Sequence, residues 1–354
     1  MTRARVERLR AALAARGLQG VVVTSQATLA WLFGGRFHVN VASESGLAAV
    51  LVDQARVACL VNNIEARRLE EEEGLVADEW HVFPWYDEAE RQRRLAAWLA
   101  SPGVVAEAEV AGDIRALRAQ LDEEAQAALR ALARDAATAV EEACRALQPG
   151  DPEWAAAAAM ARRCLASGAE PLVLLVAGPD RAVRHRHPLP TGSPVGNCAL
   201  LSIGARRAGL VVSVTRMVAF GPVSDELLAR HDAVVRVDAA MLAASRPGAT
   251  LAEVFQAAQA AYRAVGYPDE WRHHHQGGLA GYQSRERRAD PTADEVLQAG
   301  QAVAWNPTIA GVKSEDTALI GPDGIEIVSD TGRWPTVSVE AGARRIARPA
   351  LWVR

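Results

Sequence analysis

From Leu121 to Leu147 the chain runs through a segment rich in Ala, Glu and Arg, with no helix breaker until Pro149 and Gly150. Ala, Glu and Arg lose little conformational freedom in a helix, whereas proline lacks the donor and clashes with the preceding turn. The segment therefore predicts one long helix that stops at PGDPEW (149–154). Residues 1–120, ahead of this helix, read as a small α/β domain, and residues 121–354 as a second domain that the helix opens. At 354 residues the chain is long enough for both to bury a core of their own.

In the first part Val6, Leu9 and Leu13 share one face of a helix over residues 4–16, with Gly17 as its stop. VVVT (21–24) reads as a strand, followed by FGGRFHVN (33–40), and then by two further strands, GLAAVLVD and VACLVNN. In the second part Asp151 is expected to cap a helix through the Ala run at 155–163, with Pro152 at its first position. After Gly168 come strand-like runs (LVLLVAG, ALLSIGA, GLVVSVTRMVAF), and then helices near 222–245 and 250–265.

A formal net charge of −4 argues against nucleic acid or an anionic membrane as partner. No apolar run approaches the ~20 residues that span a bilayer, and polar residues interrupt any signal-peptide core in the first twenty positions. The four cysteines (Cys59, Cys144, Cys164, Cys198) are scattered, with no CxxC, and read as buried thiols in a reducing compartment. These features together point to the cytoplasm.

Four segments of the second part carry a resemblance: PGDPEW (149–154), LSIGARRAGLVVSVTR (201–216), HHHQGG (273–278) and WNPTIAGVKSEDT (305–317). With PGATLAEV (247–254) they resemble, in order and rough spacing, the motifs of the creatinase, prolidase and aminopeptidase P family. The resemblance implies an α+β protein: an α/β creatinase-like N-terminal domain, then a pita-bread C-terminal domain, assembled as a homodimer. Active members of that family hold two divalent metals with two aspartates, a histidine and two glutamates. Position by position, the aspartate slots fall on Ser202 and Ser213, the histidine on His275, and the glutamates on Asn306 and Glu315. The two serines are eleven residues apart, as in the family, while the stretch between Asn306 and Glu315 is shorter. Three of four carboxylates are thus missing.

Hard divalent ions need anionic oxygens. Each unit charge at 4 Å is worth ~4 kcal/mol at an effective dielectric of 20, so losing three costs on the order of 10 kcal/mol, or roughly seven decades of affinity. The expectation is a lost metal pair and no cofactor, with one softer ion on the histidines and Glu315 as the alternative.

The polar residues then left are His185, His187, His274, His275, Glu315 and Tyr282. Creatinase hydrolyses a C–N bond with histidine and glutamate and no metal. By that resemblance His275, His274 or His185 acts as general acid or base, with Glu315 orienting the imidazole. HRHP (185–188) suits a solvated strand end equally well, whereas three histidines and two glycines make HHHQGG a poor core segment. His187, Tyr282, Trp305 and Asn306 are candidates for substrate binding, with Trp31 and Trp271 as further pocket walls. Arg36 is another, since the resemblance lets this loop reach a neighbouring subunit's cleft and hold a carboxylate. Ser202 and Ser213 lack a G-x-S-x-G turn and read as small fillers rather than nucleophiles; Thr215 and Arg216 read as structural.

The function expected is a metal-independent hydrolase of a small amide, peptide or guanidino-type C–N bond, acting on a small molecule or short peptide. The alternatives are a binding protein without turnover, and a metal-dependent Xaa-Pro dipeptidase with an unconventional site.

Overall fold

A computed structural model describes residues 2–354, which divide into two compact units, one up to Gln120 and one from Leu121 to Arg354. The first unit opens with helix α1 (Thr2–Ala15) and continues through β1 (Gly20–Ser25), α2 (Gln26–Phe33), β2 (Ser45–Asp53) and β3 (Val57–Asn62). It is completed by α3 (Ala66–Glu71), β4 (Glu79–Phe83), α4 (Glu88–Leu99), β5 (Val104–Ala106) and α5 (Ala111–Ala119). Its five strands form one mixed sheet in the order β4-β3-β2-β1-β5. Runs such as Val21–Val22–Val23 and Val50–Leu51–Val52 are buried residue after residue because helices cover both faces of this sheet. Trp98 of α4 closes one face over Val22, Leu51 and Leu60.

The second unit begins with α6 (Glu123–Ala146) and α7 (Glu153–Ala166). Asp122 caps α6, accepting from the Ala125 N–H at 2.9 Å. The cap expected from Asp151 is not made: its carboxylate accepts from the Gln148 N–H at 2.8 Å, closing the turn between the helices, and Pro152 takes the N-cap position. Proline has no side-chain acceptor, so the acidic Glu153 at the first helical position complements the helix terminus instead.

Next come β6 (Glu170–Ala177), α8 (Pro179–Arg184), β7 (Cys198–Arg207) and β8 (Leu210–Ala219). Strands β7 and β8 pair antiparallel around Ala208 and Gly209, whose φ values of 48° and 82° make the tight turn that such a hairpin needs. One face of the hairpin packs on α6. On the other face, β7 reads Cys198, Leu200, Ser202, Gly204, and its β8 neighbours read Ala219, Met217, Thr215, Ser213. That face therefore changes from apolar to polar at Ser202, and the site lies at the change.

Helices α9 (Asp225–Ala244) and α10 (Leu251–Ala264) come after the hairpin. A capping box starts α10: Thr250 Oγ1 accepts from the Glu253 N–H, while the Glu253 carboxylate accepts from the Thr250 N–H. They pack on a second sheet, built from β9 (Gly277–Ala280), β10 (Arg287–Arg288), β11 (Ala302–Trp305), β14 (Asp316–Ile320) and β15 (Ile325–Ile327). Two short strands, β12 (Thr308–Ile309) and β13 (Val312–Lys313), make a small ribbon between β11 and β14 in the chain. The chain ends in the hairpin β16 (Thr336–Ala341) and β17 (Arg344–Pro349), then β18 (Trp352–Val353), which joins the first sheet of this unit beside β8.

The two sheets of the second unit meet where the Thr215 N–H donates to the Glu315 carbonyl at 3.0 Å and the Ser213 N–H to Thr317 Oγ1 at 2.9 Å. All four cysteines are buried and free. Among the described residues no helix is long and apolar enough to cross a membrane.

Candidate functional site

SEDT (314–317) runs as an extended segment whose alternation separates two polar networks. Ser314 and Asp316 point one way, to the fully buried Arg348, which pairs with Asp238 at 2.6 Å and Asp316 at 2.7 Å. Arg216 adds a 3.0 Å pair to Asp316, so its side chain serves the fold. Glu315 points the other way, toward Ser202 and Ser213.

Both carboxylate oxygens of Glu315 are engaged. Oε2 takes the Thr215 hydroxyl at 2.7 Å, the Ser202 hydroxyl at 3.1 Å and the Lys313 ammonium at 2.7 Å. Oε1 takes the Arg285 guanidinium at 3.3 Å. Each cation also reaches one serine: Lys313 Nζ lies 3.3 Å from Ser202 Oγ, and Arg285 Nη1 lies 3.4 Å from Ser213 Oγ. Burial pushes the Glu315 carboxyl up, but Lys313 and Arg285 outweigh it and hold the group down at about 2. Glu315 is therefore an anion at any ordinary pH.

The three central histidines gather beside this group. His274 Nε2 and His187 Nε2 are 3.0 Å apart, a distance that requires one of the two to carry the proton. The His274 and His275 rings lie 4.5 Å apart, centre to centre, and His187 and His275 5.8 Å. Burial lowers all three. His274 falls to about 2, with help from Lys313, and His275 to about 4, with help from Arg285 and Arg288. His187 is lowered by burial and then by Lys313. All are neutral imidazoles near pH 7. Their nitrogens lie within 4.8 Å of one another, and among the described residues this is the one cluster of three or more His, Cys, Asp or Glu side chains with metal-ligand spacing.

Local backbone chemistry puts the histidines there. Gln276, fully buried, lies within hydrogen-bond reach of the Tyr262 hydroxyl at 2.9 Å, and its amide donates to the His274 carbonyl at 2.5 Å. Gly277, at φ 104°, then starts β9. A Cβ there would strike the Ala304 carbonyl, and one on Gly278 the Arg287 carbonyl, so only glycine lets β9 sit between its neighbours. The Asn306 N–H donates to the Gln276 carbonyl at 3.1 Å. Asn306 Oδ1, His274 Nδ1 and His275 Nδ1 are buried and have no partner among the described residues.

The structure thus brings together His187, His274, His275, Glu315, Ser202 and Ser213. His185 is not among them: it ends α8 with an exposed side chain, its N–H on the Arg181 carbonyl. Trp305, expected at the substrate, is a core residue instead. It is 0% exposed, packs among the apolar residues under α9, and donates its indole N–H to Ser245 at 2.9 Å. A four-residue strand flanked on both sides has one face for the core, and Trp305 is on it. Trp271 stacks edge-on to Phe255, and Tyr282 is buried, its N–H on Glu286 at 3.0 Å. In the first unit, Arg36 pairs with the buried Glu73 at 3.0 Å and Trp31 is buried. Lys313 and Arg285 are charged neighbours of Glu315 that the sequence reading does not single out, although Lys313 lies within WNPTIAGVKSEDT. A signal is nonetheless present in the composition: Lys313 is the only lysine among 39 lysine and arginine residues.

A family model described as Metallopeptidase family M24 matches residues 127–325, and one described as Creatinase/Prolidase N-terminal domain matches residues 5–147. Among solved structures, the Xaa-Pro dipeptidase from Bacillus anthracis is similar at TM-score 0.78 and 18% identity, over 100% of both chains. The prolidase from Pyrococcus horikoshii OT3 is similar at TM-score 0.77 and 17% identity, over 96% of this chain and 100% of that one. An uncharacterized peptidase of Staphylococcus haemolyticus is 27% identical over 121 residues, which is 33% of this chain and only 34%, about a third, of that relative's length. The first model spans more than half of the chain, and the second accounts for the unit before it: the chain belongs to metallopeptidase family M24 and carries a creatinase/prolidase N-terminal domain.

Proposed function

We propose that this M24 protein hydrolyses a small amide, peptide or guanidino-type C–N bond without the metal pair of its relatives. The observation that carries the proposal is the meeting of three neutral imidazoles with one permanently ionised carboxylate. The donors at the ligand slots do not fit two divalent ions: Ser202 and Ser213 offer neutral hydroxyls, Asn306 a neutral amide, and the one carboxylate is already engaged by two cations.

In this reading the neutral His275 takes a proton from a water as its oxygen attacks the carbonyl or guanidino carbon. The His275 imidazolium then gives that proton to the leaving nitrogen, with the hydrogen-bonded His187–His274 pair beside it. Glu315 neither gives nor takes a proton. It fixes Lys313 and Arg285, whose positive charge favours the negative charge that develops on the substrate.

The test is turnover by chelator-treated protein on Xaa-Pro dipeptides, small amides and guanidino acids, with and without added Mn2+. Turnover survives chelation and falls at least about a hundredfold in His275→Ala. Activity that appears only with Mn2+ instead supports a metal-dependent Xaa-Pro dipeptidase, the activity named for the Bacillus anthracis structure. A second reading, a binding protein without turnover, is favoured by the low proton affinity of His275, at about 4, which makes it a weak base. Saturable binding of a panel member with no product would establish that second reading.

A further inference from the structure

Around Glu315 the contacts repeat in a pattern. Each carboxylate oxygen faces one cation, and each cation faces one serine: Oε2 with Lys313 and Ser202, Oε1 with Arg285 and Ser213. Lys313, Ser202 and Ser213 are nearly sealed from solvent, and the Arg285 side chain is only 8% exposed. Two positive charges thus flank one bridging carboxylate, with neutral oxygens where their outer counter-charges would be. A carboxylate bridging two cations is also how a pair of divalent ions is held.

The choice of lysine adds a second, independent observation. Wherever else this chain needs a basic side chain it uses arginine, and Lys313 is its one exception. A guanidinium is planar and broad and forks toward two acceptors; an ammonium is a compact point charge, closer to a bare ion in size and symmetry. Arginine serves the other pairs, on the surface and in the interior alike, Arg216, Arg285 and Arg348 included. Lys313, 5% exposed, places its ammonium between Ser202 and Glu315.

We infer that Lys313 and Arg285 are built-in cations that fill the two ion positions of the site, so that Glu315 bridges two side chains instead of two metals. This rests on the metal-independent reading above and goes further, because it makes the side-chain cations themselves the barrier to metal binding, beyond the missing carboxylates. In this account Lys313 and Arg285 also hold Glu315 and the two serine hydroxyls in place.

The experiment measures Mn2+ binding by calorimetry and by electron paramagnetic resonance, on full-length protein whose fold is checked by circular dichroism. Wild type binds no stoichiometric Mn2+. Restoring the carboxylates with Ser202→Asp, Ser213→Asp and Asn306→Glu leaves binding weak while the cations remain. Adding Lys313→Met and Arg285→Met then tightens Mn2+ binding at least about a hundredfold, and Lys313→Arg in place of Lys313→Met does not. Equal Mn2+ affinity with and without the two cations overturns the inference while leaving the metal-independent reading intact. Tight Mn2+ binding by wild type overturns both.

Should the restored variants fail to fold, Lys313→Ala alone decides the matter. Its melting temperature is lower than wild type, and added methylammonium raises it while leaving wild type unmoved. A melting temperature that no added methylammonium or Mn2+ restores overturns the inference.

Discussion

Glu315 shows how a buried carboxylate is kept charged: burial opposes ionisation, and two cations with two hydroxyls reverse the outcome. Removing one member of such a group leaves the others buried and uncompensated, which is costlier than the group was ever worth. Glu315→Gln should therefore cost about 3 kcal/mol or more in urea unfolding. Combined with Lys313→Met the loss should be clearly less than the sum of the two single losses. The histidines set a pH dependence of known sign. A free imidazole titrates near 6.5, but His275 and His274 are lowered to about 4 and about 2 in the fold. Below pH 6.5 the unfolded chain takes up protons that the folded one refuses, so stability falls as pH drops from about 6.5 toward 4. Glu315, lowered from 4.5 to about 2, adds a further loss between those values. Urea midpoints should begin to decline below about pH 6.5 in wild type. In a His274→Asn, His275→Asn protein the decline above about pH 4.5 should be shallower, the remainder coming from His231 and His187, which burial also lowers, and it should steepen below 4.5, where Glu315 takes over.

At the scale of elements, β9 determines where the histidines are. Its two glycines slip between the Ala304 and Arg287 carbonyls, and the chain just before them turns His274 and His275 toward Glu315. Gly277→Ala should lower stability by about 2 kcal/mol or more. It should also weaken the acid sensitivity just described, leaving the part that comes from the buried His231 of α9, because the strand must shift and take His274 and His275 with it. Much of this level is legible in the residues alone. The Ala-rich segment is α6, ending at Ala146, and the serine spacing of eleven places Ser202 and Ser213 on one face of paired strands. The part that is not legible depends on separate strands converging. Lys313 stands two residues before Glu315, on the same side of an extended segment, but Arg285 arrives on the loop after β9, 30 residues before Glu315, and no local period links it to the carboxylate. Trp305 misleads for the opposite reason: its type suits a pocket wall, but its register on β11 is fixed by the core it helps fill.

Over the whole molecule, each sheet is built from strands of one unit alone, and every residue of the Glu315 group and of the histidine cluster comes from Leu121–Arg354. The polar face of the β7–β8 hairpin, the ribbon that carries Lys313 and the glycines of β9 all depend on packing within that unit, on α6 behind one sheet and on α9 and α10 behind the other. The first unit has its own core under Trp98 and its own ion pairs, with Arg36 and Arg68 both on Glu73. Cooperative folding tracks the buried apolar surface, so the second unit carries what it needs to assemble the site. Expressed alone, residues 121–354 should unfold in one cooperative urea transition and keep the decline in stability below about pH 6.5. A cooperative transition without that decline would mean that the histidines take their low proton affinity from something outside the unit, and the assignment of the site to these residues would fail with it.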